Sequence, residues 1–130
     1  MYEYKLSDIK VIDGDTIDAT IDLGFSIQIR ERIRLYGIDT PETRTRDLEE
    51  KKRGFAAKDR LEELIDDSVE PIIVQTTYDQ RGKFGRVIGT LYSHIYQNLP
   101  DNSIWDPIVP VKSNINFQLI SEGHAVEYMK

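Results

Sequence analysis

The sequence predicts a single, mainly β domain with helices added. Three observations carry this: short runs of alternating apolar and polar residues, turn-forming residues between them, and one long Glu/Lys/Arg/Ala/Leu-rich stretch of helical composition. At 130 residues and 15.1 kDa the chain has the size of one domain around one moderate core, so residues 1–130 are read as one unit.

Tyr2 to Ile12 and Thr16 to Leu23 alternate apolar residues on either side of Asp13-Gly14-Asp15, a hairpin pattern. Phe25 to Ile38 continues with Ile27, Ile29, Ile33 and Leu35 among charged residues, as expected of a long strand with one buried face. Pro41 ends it, because proline cannot donate to a ladder and restricts Thr40 before it. From Asp47 to Asp67 the main helix is expected, with Leu48, Phe55, Leu61, Leu64 and Ile65 on one stripe.

Ile72 to Thr77 and Arg86 to Tyr92 read as a second hairpin around the glycine-containing Asp79 to Gly85. Ser93 to Lys112, with three prolines and little periodicity, is expected to be an inserted surface loop. Ser113 or Asn114 can cap a short helix through Glu122, stopped by Gly123, with an extended tail from His124. The order is three strands, helix, two strands, helix, tail.

No run approaches the roughly 20 apolar residues of a membrane-spanning helix, and the first ten residues lack a basic start followed by an apolar stretch. No membrane role is expected. The chain as it stands reads as cytoplasmic, or as secreted if a signal peptide precedes it, and a monomer is expected. The absence of cysteine excludes disulfides, thiolate zinc sites and cysteine nucleophiles.

A net charge of −6 opposes binding to phosphate backbones, whose affinity comes largely from Lys and Arg. The cations are clustered, however: at Arg30, Arg32 and Arg34, at Arg44, Arg46 and Lys51 to Arg53, and at Arg81, Lys83 and Arg86. Clustering permits a local basic cleft, although the ordinary reading of the Arg44 to Arg53 group is a solvated face.

The segment Arg34-Leu35-Tyr36-Gly37-Ile38-Asp39-Thr40-Pro41-Glu42-Thr43 delivers a cation and two carboxylates to one strand end, which suggests a phosphate site. Asp15 and Asp39 offer hard oxygen ligands suited to a cation such as calcium. Arg34 and Arg86 present donor forks matching phosphate oxygens, and Glu42 can orient or deprotonate water. Each piece also has an ordinary explanation. Asp-Gly-Asp is a common turn, and Asp13 to Asp18 lacks the glycine an EF-hand requires at its sixth position. His94 and His124 read as loop or packing residues.

Together, Val11-Ile12-Asp13-Gly14-Asp15-Thr16, the Arg34 to Thr43 segment and Phe84-Gly85-Arg86 resemble the staphylococcal nuclease family in residues, order and spacing. The resemblance runs from about Lys5 to near the C-terminus, interrupted by residues 93–112. It implies an OB-fold, a five-stranded Greek-key β-barrel with two appended α-helices. It also implies a calcium-dependent nuclease acting on DNA or RNA and leaving 3′-phosphate ends. Asp15, Asp39 and the Thr40 carbonyl would bind Ca2+, Arg34 and Arg86 would hold the phosphate, and Glu42 would be the base. Lys83, Phe84 and Tyr128 would contact substrate. Phe84 stands where the family often has tyrosine, so a hydroxyl contact is lost while the aromatic body remains. The family's stacking tyrosine aligns with Tyr128 or with Met129. The alternative is a non-catalytic OB-fold module that binds nucleic acid or protein.

Overall fold

A computed structural model describes residues 2–77, 87–96 and 110–128. Strands β1 (Glu3–Asp13), β2 (Thr16–Gly24) and β3 (Ile27–Leu35) form an antiparallel meander. A two-residue strand, β4 (Ile38–Asp39), precedes helix α1 (Leu48–Asp66). Strands β5 (Ile73–Thr76), β6 (Val87–Tyr96) and β7 (Pro110–Asn114) follow, then helix α2 (Ile115–Ser121) and β8 (Val126–Glu127).

The sheet order is β3-β2-β1-β5-β6-β7, and a parallel pairing of β3 with β6 closes the first five strands into a barrel. Closure lets the alternating faces of these five strands converge on one core, while β7 remains an edge strand. That core contains Leu6, Ile17, Ala19, Ile21, Ile33, Leu35, Val74 and Leu91, the inward positions of five strands. Leu61 and Leu64 of α1 and Ile115 and Leu119 of α2 cap it. The expected five-stranded barrel with two helices is present.

Three expectations change in detail. The strand read as continuous to Ile38 breaks at Gly37, whose φ of +76° is a left-handed conformation that favours glycine. The stripe on α1 does not include Leu48 or Phe55, which are 78% and 43% exposed; its buried positions are Gly54, Ala57, Leu61 and Leu64. Small residues on the packed face let the helix backbone approach the Gly14 turn and the Pro41–Glu42 segment, and helical periodicity places Leu48 and Phe55 on the opposite side. Finally, residues 93–112 are not loop throughout. Ser93 to Tyr96 extend β6, and Pro110 to Lys112 belong to β7, paired from Tyr96↔Pro110 to Tyr92↔Asn114. Prolines weaken strand periodicity in the sequence, and an edge strand tolerates them.

Both helix starts follow their caps. Asp47 accepts from the backbone N–H groups of Glu49 and Glu50, and Asn114 accepts from that of Phe117. Gly123 at φ +82° ends α2.

Candidate active site

The site begins at the turn between β1 and β2. Cross-strand register sets Thr16 opposite Arg34, so the turn residue Asp15 lies beside the Arg34 side chain. Arg34 Nη1 meets Asp15 Oδ2 at 2.9 Å and the Asp15 carbonyl at 3.3 Å. Asp15 Oδ2 also accepts from the Thr40 backbone N–H at 3.2 Å, and Oδ1 accepts from the Thr16 hydroxyl at 2.9 Å. Asp15 is buried, and these partners satisfy its carboxylate.

Asp39, at the end of β4, approaches the same guanidinium from another side, with Oδ1 3.6 Å from Arg34 Nη2. Arg34 is thereby shared between two carboxylates, and the three groups keep one net negative charge. An oxygen-rich cluster with residual negative charge suits a hard cation. Among the described residues, no three carboxylate or imidazole groups converge, so an ion here would draw on Asp15, Asp39 and backbone carbonyls, with water completing its shell. These residues fit calcium in donor type and charge. Arg34 Nε has no acceptor among the described residues, which leaves part of its donor fork for a phosphate.

Two braces hold this arrangement. Asp13 Oδ1 accepts from the Thr43 hydroxyl at 2.6 Å, tying the first turn to the segment after Pro41. Helix α1 packs on both turns through small residues. A Cβ on Gly14 would stand 2.7 Å from the Ala57 Cβ, and one on Gly54 would stand 2.6 Å from the Glu42 carbonyl oxygen. Only glycine permits so close an approach. Glu42 itself is exposed, and its backbone N–H donates to Glu50 of α1 at 3.2 Å. Among the described residues the buried Thr40 hydroxyl has no hydrogen-bond partner, and it lies near Gly14.

At the other end of the chain, β8 pairs with β4, and the Tyr128 N–H donates to the Gly37 carbonyl at 2.8 Å. Tyr128 is therefore held beside the turn leading into Asp39. Lys83, Phe84, Arg86, Met129 and Trp105 lie outside the described residues. His94 packs against the α1–β5 connection, where its backbone N–H donates to Ser68 and its ring stands 4.0 Å from Glu70.

Sequence reasoning missed Asn116. It is 4% exposed, and its side chain donates to the Tyr36 carbonyl at 2.9 Å and the Gly89 carbonyl at 3.3 Å while accepting from the Leu91 N–H at 3.1 Å. Its only signal in the sequence was a polar residue among the apolar positions of a short helix.

A family model described as staphylococcal nuclease homologue matches residues 32–130. That span contains Arg34, Asp39, Thr40 and Glu42 and begins after Asp15. An uncharacterized endonuclease of Escherichia coli is 29% identical over 120 residues, covering 82% of this chain and 67% of the relative. An uncharacterized endonuclease of Escherichia coli O157:H7 matches to the same extent.

Proposed function

We propose, from the fact that this chain belongs to the staphylococcal nuclease homologues, that it is a calcium-dependent nuclease that hydrolyses phosphodiesters of DNA or RNA and leaves 3′-phosphate ends. The observation that carries the reading is the sharing of Arg34 between Asp15 and Asp39 at a strand end, with exposed Glu42 three residues further along the chain.

Asp15, Asp39 and the Thr40 carbonyl would hold the ion, which when bound polarises a phosphoryl oxygen. Arg34 donates from its free fork edge to a phosphate oxygen, and its carboxylate contacts prevent it from swinging away. Glu42 accepts a proton from the attacking water while the bond to the 5′ oxygen breaks. Arg86 is the second phosphate donor on the strength of its family motif, and Lys83, Phe84 and Tyr128 are proposed substrate contacts. Negative charge growing on the phosphoryl oxygens is what the two arginines stabilise.

The test is incubation of labelled DNA and RNA with calcium or with chelator, followed by identification of product ends. Calcium-dependent cleavage to 3′-phosphates is expected. Full activity in excess chelator would contradict the metal assignment, and binding without cleavage would favour the non-catalytic OB-fold module.

A further inference from the structure

The exposed flank of the first half of α1 combines apolar and basic side chains. Leu48, Lys52 and Phe55 are spaced i, i+4, i+7, as are Lys51, Phe55 and Lys58, so these side chains share one side of the helix. Leu48 is 78% exposed, Phe55 is 43% exposed, and the Lys58 ammonium lies 5.9 Å from the Phe55 ring centroid.

Charge divides sharply along this region. Residues 44–58 hold six cations against three carboxylates, a net +3, whereas residues 59–70 hold one cation against six carboxylates, a net −5. A helix macrodipole favours the opposite distribution, so helix stability does not account for it. Among the described residues elsewhere, Arg32 pairs with Asp18, Arg34 with Asp15, Arg60 with Glu122 and Lys112 with Glu3, while Lys5 and Lys10 are single cations without an acceptor. Among the described residues, Arg44, Arg46, Lys51, Lys52 and Arg53 meet no acceptor.

This flank is continuous with the candidate active site. Gly54 lies against the Pro41 and Glu42 carbonyls, and Glu50 accepts from the Glu42 N–H, so Lys51 and Lys52 stand within one helical turn of the segment bearing Glu42. A strand of phosphates leaving the cleavage point on this side would meet unpaired cations interleaved with an exposed aromatic ring. That combination is how single strands are held without reading their sequence.

We infer that the α1 flank formed by Lys51, Lys52, Phe55 and Lys58, with Arg44 and Arg46 before it, is a binding track for a single-stranded polynucleotide. The inference takes its occupant from the nuclease reading. The lysines contact phosphates and Phe55 stacks on an unpaired base. A single strand is specified because a base paired in a duplex has no free face for the ring.

The test is fluorescence-anisotropy titration of labelled oligothymidylate in chelator, where the strand is not cut, over a range of salt. Lys51→Ala/Lys52→Ala should weaken binding about tenfold and make the log–log salt slope shallower by about 1.4, from roughly 0.7 per phosphate contact on a single strand. Lys51→Arg/Lys52→Arg should retain both. Phe55→Leu keeps apolar bulk without a ring face and should weaken binding about tenfold. Thermal melts confirm that these exposed substitutions keep the fold.

Unchanged affinity and salt slope in the Lys→Ala variant, or no binding by the wild type, overturns the track. An unaffected Phe55→Leu overturns the stacking contact. Cleavage of a dinucleotide diester, too short to span the helix, reports on the catalytic centre separately. Strand binding through Lys51 and Lys52 without diester cleavage retains the track and removes the nuclease reading.

Discussion

Asn116 and Leu91 are joined by a 3.1 Å hydrogen bond in which a side-chain oxygen takes the place of a neighbouring strand. On this edge of β6, β3 pairs with Val87 to Gly89 and β7 pairs with Tyr92 to Tyr96. Leu91 lies between the two ladders. Asn116 fills that interval and also donates to Tyr36, at the turn that leads to Asp39. The barrel seam, α2 and the site turn are thereby linked through one buried amide.

Asn116→Ala should therefore lower stability by about 1–3 kcal/mol, because it strands the buried Leu91 N–H and removes the donors to the Tyr36 and Gly89 carbonyls. Urea denaturation measures this. A loss below about 0.5 kcal/mol would show that water replaces the amide without cost.

Gly54→Ala should act against helix propensity. On an exposed helix the change gains about 1 kcal/mol. Here the new Cβ would stand 2.6 Å from the Glu42 carbonyl oxygen and 2.8 Å from that of Pro41, so a loss of about 1–3 kcal/mol is expected from overpacking. Turnover should fall too, because the displaced segment carries Glu42. A more stable variant with full turnover would refute the close contact.

Arg34→Ala leaves Asp15 and Asp39 together without their shared cation. Stability without calcium should fall by about 1–3 kcal/mol, and saturating calcium should recover much of it. Turnover should remain at least about 100-fold low, because the lost donor acts on charge that grows in the transition state. Melting curves with and without calcium, paired with single-turnover cleavage, separate the two effects.

Glu42→Gln keeps the size of an exposed side chain and removes the base, so folding stability should be unchanged. Single-turnover cleavage at saturating calcium should fall by about 10²–10⁴-fold. Calcium affinity should change less than in Asp15→Asn or Asp39→Asn. Wild-type cleavage by the Gln variant at saturating calcium would end the catalytic assignment.

Glu122 supplies a pH prediction away from the site. Arg60 Nε meets Glu122 Oε1 at 2.6 Å and Nη2 meets Oε2 at 2.9 Å, a two-pronged pair linking α1 to the end of α2. This pairing holds the Glu122 carboxyl down to about 2, from an ordinary value of 4.5, with Gln118 as a further donor. Because the folded value is depressed, the stabilisation is present above the unfolded pKa and is lost as pH falls from about 4.5 through about 2. Both side chains retain some solvent contact, so the contribution is about 1–2 kcal/mol. Glu122→Gln should be less stable than wild type at pH 7, and the gap should close between pH 5 and pH 2 in urea titrations. A gap that is constant with pH would mean the pair stabilises nothing.

Local chemistry made much of this protein legible from its sequence. Asp-Gly-Asp bends the chain, Pro41 stops a strand, Asp47 and Asn114 cap helices, and alternating isoleucines identify the faces that become the barrel core, because each effect acts over a few neighbouring residues. The Arg34 to Thr43 segment announced a site for the same reason: its charges are close in the chain. Tertiary structure decided what depends on distant residues. Cross-strand register brought Asp15 beside Arg34, nineteen positions away, and divided that guanidinium between two aspartates. The packed face of α1 runs through Gly54, Ala57, Leu61 and Leu64 and leaves Leu48 and Phe55 on the opposite side, against the apolar stripe that periodicity suggested, because the Gly14 turn and the Pro41–Glu42 segment admit only small residues where they meet the helix. Asn116 was invisible for the same physical reason: a polar residue is buried only where unpaired backbone groups await it, and that gap exists only once β3, β6 and β7 have met.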